Sequence, residues 1–332
     1  MKFYRINNFY LNKNEKSYFD SSLIVIHKDA VYNLGEIEFE DLYLLAKENS
    51  AALNQSVSLN SYVESLIKSG ELFKSETLST EQLVDSLQSP IYPQEVWAAG
   101  VTYSDSMRER QAESDSPDVY AKVYNAERPE IFFKGTGDRM QPPEDELGIR
   151  KDSGWDVPES ELAVVIIDGD IAGFTIGNDM SSRSIEGENP LYLPQAKVYN
   201  KSFSIGPCII SSEGIDPQNL KVSLKISRDN KVVFNGDSNT SEMKRNVYEL
   251  VDWLQRSNDL PDVAVLMTGT GIIPPQDFTL KENDIVEIQI EKIGVLRNKI
   301  VPQYSYLLNL NFYNVIFFQS KILWRYDSCT CH

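Results

Sequence analysis

Residues 156–184 read DVPESELAVVIIDGDIAGFTIGNDMSSRS. Leu162 to Ile167 is an unbroken apolar hexad, Asp168-Gly169-Asp170 carries turn chemistry, and Ile171 to Ile176 is a second apolar run. The stretch therefore reads as a β-hairpin. Side chains alternate faces along a strand, so Glu159 and Glu161 share one face. A three-residue loop centred on Gly169 sets Glu161 opposite Gly177 and Glu159 opposite Asp179, and all three carboxylates then converge at one end. A two-residue Asp-Gly turn of type I′ instead shifts the pairing by one and sends Asp179 to the other face. Convergent carboxylates repel each other unless a cation lies between them, and a hard divalent ion is the natural occupant. The competing reading is three solvated acids at strand ends, in a chain with 49 Asp and Glu.

Composition narrows the chemistry around that hairpin. The chain has 332 residues and a formal charge of −17, which disfavours nucleic acid or an anionic membrane as partner and suits the capture of metal cations. No apolar run reaches transmembrane length, and the opening MKFYRINNFY lacks the apolar core of a signal peptide. Cys208 is the only cysteine before the last four residues, which excludes a disulfide framework and points to a reducing cytoplasm. The two histidines are His27, at the end of an apolar strand, and His332, the last residue. A Ser-His-Asp triad, a Cys-His pair and a multi-histidine zinc site are thereby disfavoured. Acid–base work falls to carboxylates, lysine, tyrosine or a metal-bound water.

Three regions differ in texture. Residues 1–90 read as a small α+β unit, with strands at SLIVIH and AVYNLGEIEF. Helical patterns follow around Asp41 to Glu48 and Tyr62 to Lys68, then a capping box from Ser79 to Gln82. Residues 91–300 carry many short strands separated by glycine and proline. Arg228-Asp229-Asn230 turns one hairpin, and a helix is expected over Ser241 to Leu254. So many strands with few helices indicate a β-rich α+β fold. Residues 301–332 are aromatic-rich, hold a single acid and end in Cys329, Cys331 and His332. They form an atypical C-terminal segment in which a frayed remnant, not a metal cluster, is expected.

Further segments offer binding chemistry beside plainer alternatives. Thr268-Gly269-Thr270-Gly271 follows an apolar strand. Its glycines let a backbone approach a ligand, and Thr268 or Thr270 suits a carboxylate or hydroxyl; the plain reading is a glycine turn. Residues 189–201, NPLYLPQAKVYNK, form a proline-fixed loop whose Lys197 and Lys201 either neutralise the acids or are exposed surface lysines. Tyr103, Asp105, Arg108, Arg110 and Glu113 follow the strand VWAAGVT, where binding residues often sit and where helices also start. Glu130 opens the strand EIFFKG and Lys134 lies near its far end, so one or the other can face the same cleft.

In order along the chain, AAGVTYSDS, RPEIFFKG, ESELAVVI, GNDMSSRSIEG, KSFSIGP, MTGTG and LKENDIVEIQIEKIGVLRN resemble the fumarylacetoacetate hydrolase superfamily over about residues 95–300. The resemblance implies a mixed β-roll with a small N-terminal α+β domain, usually dimeric. It also implies Mg2+, with Mn2+ or Ca2+ as substitutes, held by a Glu-x-Glu pair and a later Asp, here Glu159, Glu161 and Asp179. Asp105 loosely matches a fourth carboxylate ligand. Hydrolases of the family often carry a histidine after the tyrosine as base for water, and YSDSMRERQAES has none. ENPLYLPQAKVY and GTGIIPP instead resemble the branch of 2-keto-3-deoxy sugar acid dehydratases. The implied function is a cytoplasmic Mg2+-dependent lyase eliminating water across C3 and C4 of a 2-keto-3-deoxy aldonic acid, in carbohydrate catabolism. Lys197 is the first candidate for base, Glu130 the carboxylate alternative, and Lys201 matches the lysine of the hydrolases. Tyr103, Lys134, Arg183, Thr268, Gly269 and Thr270 are the candidates for holding the anion and its hydroxyls. The alternatives are a hydrolase of acylpyruvates or diketo sugar acids on the same scaffold, or a non-catalytic family member.

Overall fold

The computed structural model describes residues 1–7, 21–72, 74–75, 86–113 and 117–303. The Ser79–Gln82 capping box, the Glu113 side chain and the segment beyond residue 303 lie outside the described residues. Along the chain run β1 (Lys2–Asn7), β2 (Ser21–His27), β3 (Ala30–Gly35), α1 (Phe39–Ala52), α2 (Leu59–Ser69) and β4 (Leu87–Gln88). Next come β5 (Glu95–Gly100), α3 (Ser104–Glu113), α4 (Pro117–Asn125), β6 (Glu130–Gly135), β7 (Met140–Gln141), β8 (Glu146–Ile149), β9 (Asp156–Ile167) and β10 (Asp170–Ser182). The remainder is α5 (Arg183–Glu188), α6 (Leu193–Lys197), β11 (Phe203–Ser211), β12 (Lys221–Arg228), β13 (Lys231–Asn239), α7 (Val247–Gln255), β14 (Val263–Met267), β15 (Ile285–Ile290) and β16 (Gly294–Pro302).

Two mixed sheets organise these elements. One runs β3-β2-β1-β11-β10-β9-β14-β5-β6, with β4 added beside β1 and β7 beside β11; the other runs β13-β12-β15-β16-β8. Leu162, Val164 and Ile166 of β9 pack toward Leu224, Ile226 and Ile288 of the second sheet and toward Leu250 of α7. Ala163, Val165 and Ile167 pack on the other side with Phe39, Leu42, Leu59 and Val63 of α1 and α2. Every residue of β9 is buried. Burial on both faces is why this strand carries an unbroken apolar hexad and not alternation. Each such side chain contributes about 1.5–3 kcal/mol. Among the described residues no helix is long and apolar enough to cross a membrane.

The central hairpin has the pairing the three-residue loop predicts, reached by a different route. Ile167 pairs with Asp170, so the turn has two residues, Asp168 and Gly169, at φ +48° and +79°. Both values belong to a type I′ turn. The register then shifts between Ile171 and Gly173, leaving Ala172 as an extra residue in β10. That bulge restores Glu161 opposite Gly177 and Glu159 opposite Asp179. The Asp229-Asn230 turn also has two positive φ angles, +50° and +61°, between Arg228 and Lys231.

One helix differs from expectation. The segment expected to be helical over Ser241 to Leu254 splits into a 3-10 turn, Thr240–Glu242, and α7. The Asn246 side chain caps α7 by accepting from the Tyr248 N–H at 2.8 Å, while Arg245 donates to the Glu127 carbonyl at 3.0 Å. A side chain drawn outward and a strong N-cap together restart the helix. His27 ends β2 with its Nε2 3.5 Å from Glu64, a structural position.

Candidate active site

Glu159, Glu161 and Asp179 lie on the same face of the paired strands, all buried, each with a carboxylate oxygen within 4.8 Å of the others. Their surroundings differ. Glu159 accepts from Arg110 Nη2 at 2.8 Å, Arg183 Nη1 at 3.1 Å and Lys197 Nζ at 2.6 Å. Burial pushes its carboxyl up, but Lys197, Arg110 and Arg183 outweigh burial and hold it well below the usual carboxylate range. Asp179 pairs with Lys134 Nζ at 2.6 Å and Lys197 Nζ at 3.0 Å. Glu161 makes no ion pair among the described residues and accepts only the Gly269 N–H, at 2.5 Å. Burial first, then the charges of Asp179 and Glu159, push the Glu161 carboxyl well above its ordinary value.

An uncompensated buried acid beside two further carboxylates is a donor set for a hard divalent cation with oxygen ligands, and the residues fit Mg2+. Asp105 stands apart from this group: it is exposed and pairs with Arg108 at 3.0 Å. It is not a fourth ligand in this arrangement.

Local sequence explains how the other groups arrive. Asn189 caps the turn at Leu191 and Pro194 opens α6, whose last residue is Lys197. This proline-fixed segment carries Lys197 inward to full burial, where it also donates to Ser181 Oγ at 2.6 Å. Burial lowers its affinity for a proton, but Asp179, Glu159 and Glu186 outweigh that and keep it cationic. Lys201 instead pairs with Glu146 at 2.8 Å near the surface, away from the triad. Ser182 caps α5 by accepting from the Ile185 N–H at 3.3 Å, and Arg183 follows at once.

Glu130 and Phe132 alternate along β6 and share a face. They line a narrow cavity with Ser106, Arg110, Glu159, Glu186 and Lys197, closed by Gly269 and Thr270. A side chain at Gly100 would collide with the Glu130 carboxylate, so a glycine there makes room for it. Glu130 forms no ion pair among the described residues, and its carboxyl is raised, first by burial and then by Glu186. Lys134 lies on the Asp179 side and spends its remaining hydrogens on the Met180 carbonyl at 2.9 Å and the Lys197 carbonyl at 2.5 Å.

Gly269 has φ +90°, and a Cβ there would meet the Thr102 hydroxyl and the Ala99 carbonyl. Glycine is thus what lets this backbone N–H reach Glu161. Thr268 donates to the Leu162 carbonyl at 2.9 Å and so ties the loop to β9. Thr270 reaches the cavity with its Oγ1 3.4 Å from Ser160 Oγ. Tyr103 is buried with its ring against Gly271.

Two members escaped the sequence reading. Glu186 is paired with Arg110, and Arg110 in turn with Glu159, so a carboxylate–guanidinium–carboxylate bridge joins α5, α3 and β9. Arg110 stood out only as part of a charged stretch, and Glu186 not at all. The available signal was spacing: Ser106 and Arg110 fall one turn apart on α3 and hence on one face.

The chain is similar to known proteins in sequence and in fold. Residues 95–301 match the family model described as fumarylacetoacetate hydrolase, C-terminal. A probable 2-keto-3-deoxyxylonate dehydratase of Haloferax volcanii is 53% identical over 212 residues, 64% of this chain and 73% of the relative. The 2-dehydro-3-deoxy-D-arabinonate dehydratase of Saccharolobus solfataricus is 45% identical over 217 residues, 63% of this chain and 72% of the relative. A solved 2-keto-3-deoxy-D-arabinonate dehydratase complexed with magnesium and 2,5-dioxopentanoate superposes with a TM-score of 0.75 at 33% identity. That match covers 92% of this chain and 100% of the other.

Proposed function

The chain belongs to the fumarylacetoacetate hydrolase family, and from that premise we propose that it is a Mg2+-dependent dehydratase of a 2-keto-3-deoxy aldonic acid. The observation that carries this reading is the buried Lys197 in contact with two of the three clustered carboxylates, beside a cavity also lined by Glu130, which has no ion pair among the described residues. The names of the two relatives, and the magnesium and keto-acid product of the solved neighbour, support the same class.

Glu159, Glu161 and Asp179 would hold Mg2+, which would supply there a Lewis acid that makes the C3 proton of a bound 2-keto acid more acidic. Glu130 takes that proton. The electron pair left at C3 forms the C3–C4 double bond as the C4–O bond breaks. The departing hydroxide takes from Glu130 the proton removed from C3 and leaves as water, and Lys197 remains a buried cation beside the developing negative charge. What favours Glu130 over Lys197 as base is availability. Lys197 is committed to Glu159, Asp179 and Ser181, whereas Glu130 has no ionic partner among the described residues. In this scheme Arg183 and Lys134 hold the ligands Glu159 and Asp179, Gly269 and Thr270 close the cavity, and Tyr103 and Thr268 fix the loop that carries them. Lys201 takes no part.

The same proposal keeps residues 1–90 as a supporting unit, 91–300 as the catalytic unit and 301–332 as a separate ending. It places the protein in the cytoplasm as a homodimer or larger homo-oligomer, without nucleic acid or membrane partners and active in carbohydrate catabolism. The test is incubation with Mg2+ and a panel of 2-keto-3-deoxy acids and acylpyruvates, with products read by mass. Dehydration gives one product lighter by a single water. Two fragments that together gain a water indicate the hydrolase instead, and no turnover of any 2-keto acid defeats both.

A further inference from the structure

We infer that the interior holds a built water site between the two sheets, behind the carboxylate triad, with Asn178 and Ser204 at its centre. Asn178 precedes Asp179 on β10, so its side chain points to the opposite face, the one that carries Ile176 and Met180 into the core against the second sheet. Strand pairing sets Ser160, Asn178 and Ser204 in one row across β9, β10 and β11. Ser202 stands two residues before Ser204, and Asn298 comes from β16 of the second sheet, between Leu296 and Ile300 of the same core. All of these side chains are buried. Ser160 has Thr270 Oγ1 at 3.4 Å. Both amide atoms of Asn178, the hydroxyls of Ser202 and Ser204 and the amide oxygen of Asn298 have no hydrogen-bond partner among the described residues.

Turning the Asn178 amide over supplies nothing, because its oxygen and its nitrogen are unpaired alike. Buried polar groups are almost always satisfied, by protein or by ordered water. The row also leaves space for water. Its neighbours on this face are Leu162 and Ile176 on one side and Met180 on the other, while Ser160 and Ser204 are far shorter. Water suits the site better than a cation does. Asn178 offers a donor as well as an acceptor, and a cation satisfies oxygens alone, whereas water donates and accepts. The groups are all neutral, so none offsets the cost of burying an ion.

The experiment joins a crystal structure of the full chain, at a resolution that shows ordered water, to thermal melts of three variants. Density for water within hydrogen-bond distance of the Asn178 amide and of Ser204 Oγ is expected; an Asn178 amide bonded to protein atoms alone, or standing dry, overturns the inference. Asn178→Leu keeps the approximate shape but cannot bond to water, and should lower Tm by about 2–5 °C. A dry, unpaired amide would give the opposite sign, because leucine then removes a buried polar group that nothing satisfies. Ser204→Ala is the milder change and should also lower Tm. The double variant should lose less than the sum of the two, since both side chains hold the same water. A rise in Tm for either single variant, or additive losses, counts against the site. Melts in sodium, potassium and choline chloride at equal ionic strength should coincide, and a rise specific to one cation assigns the site to that ion instead. The dehydratase reading stands or falls separately, on turnover.

Discussion

Replacing Glu161 with Gln should move stability in opposite directions with and without metal. Glu161 lies with a carboxylate oxygen within 4.8 Å of oxygens of Glu159 and Asp179, yet it has no cationic partner among the described residues. At an effective dielectric of about 20, two unit charges at that distance repel by about 3.5 kcal/mol. Lys197 and the arginines offset part of this, and Glu161 can escape by keeping a proton, at about 1.4 kcal/mol per pH unit. The relief in Glu161→Gln is then on the order of 1–2 kcal/mol, or a few degrees in Tm. Gln keeps an oxygen for the Gly269 N–H, so the fold loses nothing else. With Mg2+ at about 100 times Kd, wild type gains about 2.7 kcal/mol. The variant should gain at least about 1.4 kcal/mol less, for a tenfold weaker affinity, and lose turnover by about 100-fold or more. Thermal melts in chelator and in Mg2+, run beside a turnover assay, provide the measurement. The reasoning is refuted if the variant is markedly less stable in chelator, or if it keeps both the wild-type Mg2+ shift and wild-type activity.

Other predictions follow from the same geometry. Glu130→Gln should abolish exchange of the C3 hydrogens in deuterated water and cut turnover by about 100-fold, with Mg2+ binding preserved; exchange at the wild-type rate would return the base to Lys197. Asp156, buried at the start of β9, is pushed up to about 6 from 3.8, chiefly by burial. A raised folded-state value means that ionisation opposes folding, so its contribution is most favourable below pH 3.8 and declines until about pH 6. Asp156→Asn should remove that decline and be more stable at pH 7 by about 1–3 kcal/mol in urea melts, whereas an unchanged pH slope would speak against it. Gly269→Ala should cost about 2 kcal/mol or more and weaken Mg2+ binding by moving the N–H away from Glu161; calorimetric titration of the ion checks this.

The hairpin was legible because alternation along a strand is a local property, and the three acids follow from it once a register is chosen. The register itself was reached through an unforeseen pair of features, since nothing in IAGFTIG marks Ala172 as the extra residue. The helix before Leu254 was extended too far because Met243 and Val247 keep helical spacing across a break that Arg245 and the cap at Asn246 create. Lys197 and Lys201 were indistinguishable in sequence. Only packing decides that one turns inward from a proline-fixed segment while the other meets Glu146 outside. The Arg110–Glu186 bridge joins residues far apart in the chain, and pairing at that separation leaves no periodic trace. The family resemblance located the blocks but not the direction each charged side chain takes, and for Lys134 that direction is toward Asp179.

The turn and the bulge of the central hairpin act as two independent adjusters of one setting. The two-residue turn alone would put Asp179 out of phase with Glu159 by one position, and the extra residue at Ala172 brings it back. Their effects are interchangeable, because each contributes a single residue to the offset. Moving the unpaired residue from the bulge into the turn conserves the phase at constant length, and so does deleting Ala172 outright, because Gly173 then follows Ile171 and still meets Val165. Length variation at this hairpin therefore leaves the three acids in phase wherever the residue gained or lost is an unpaired one, at the tip or at the bulge, and breaks the phase when a single paired residue is added or removed with both kept.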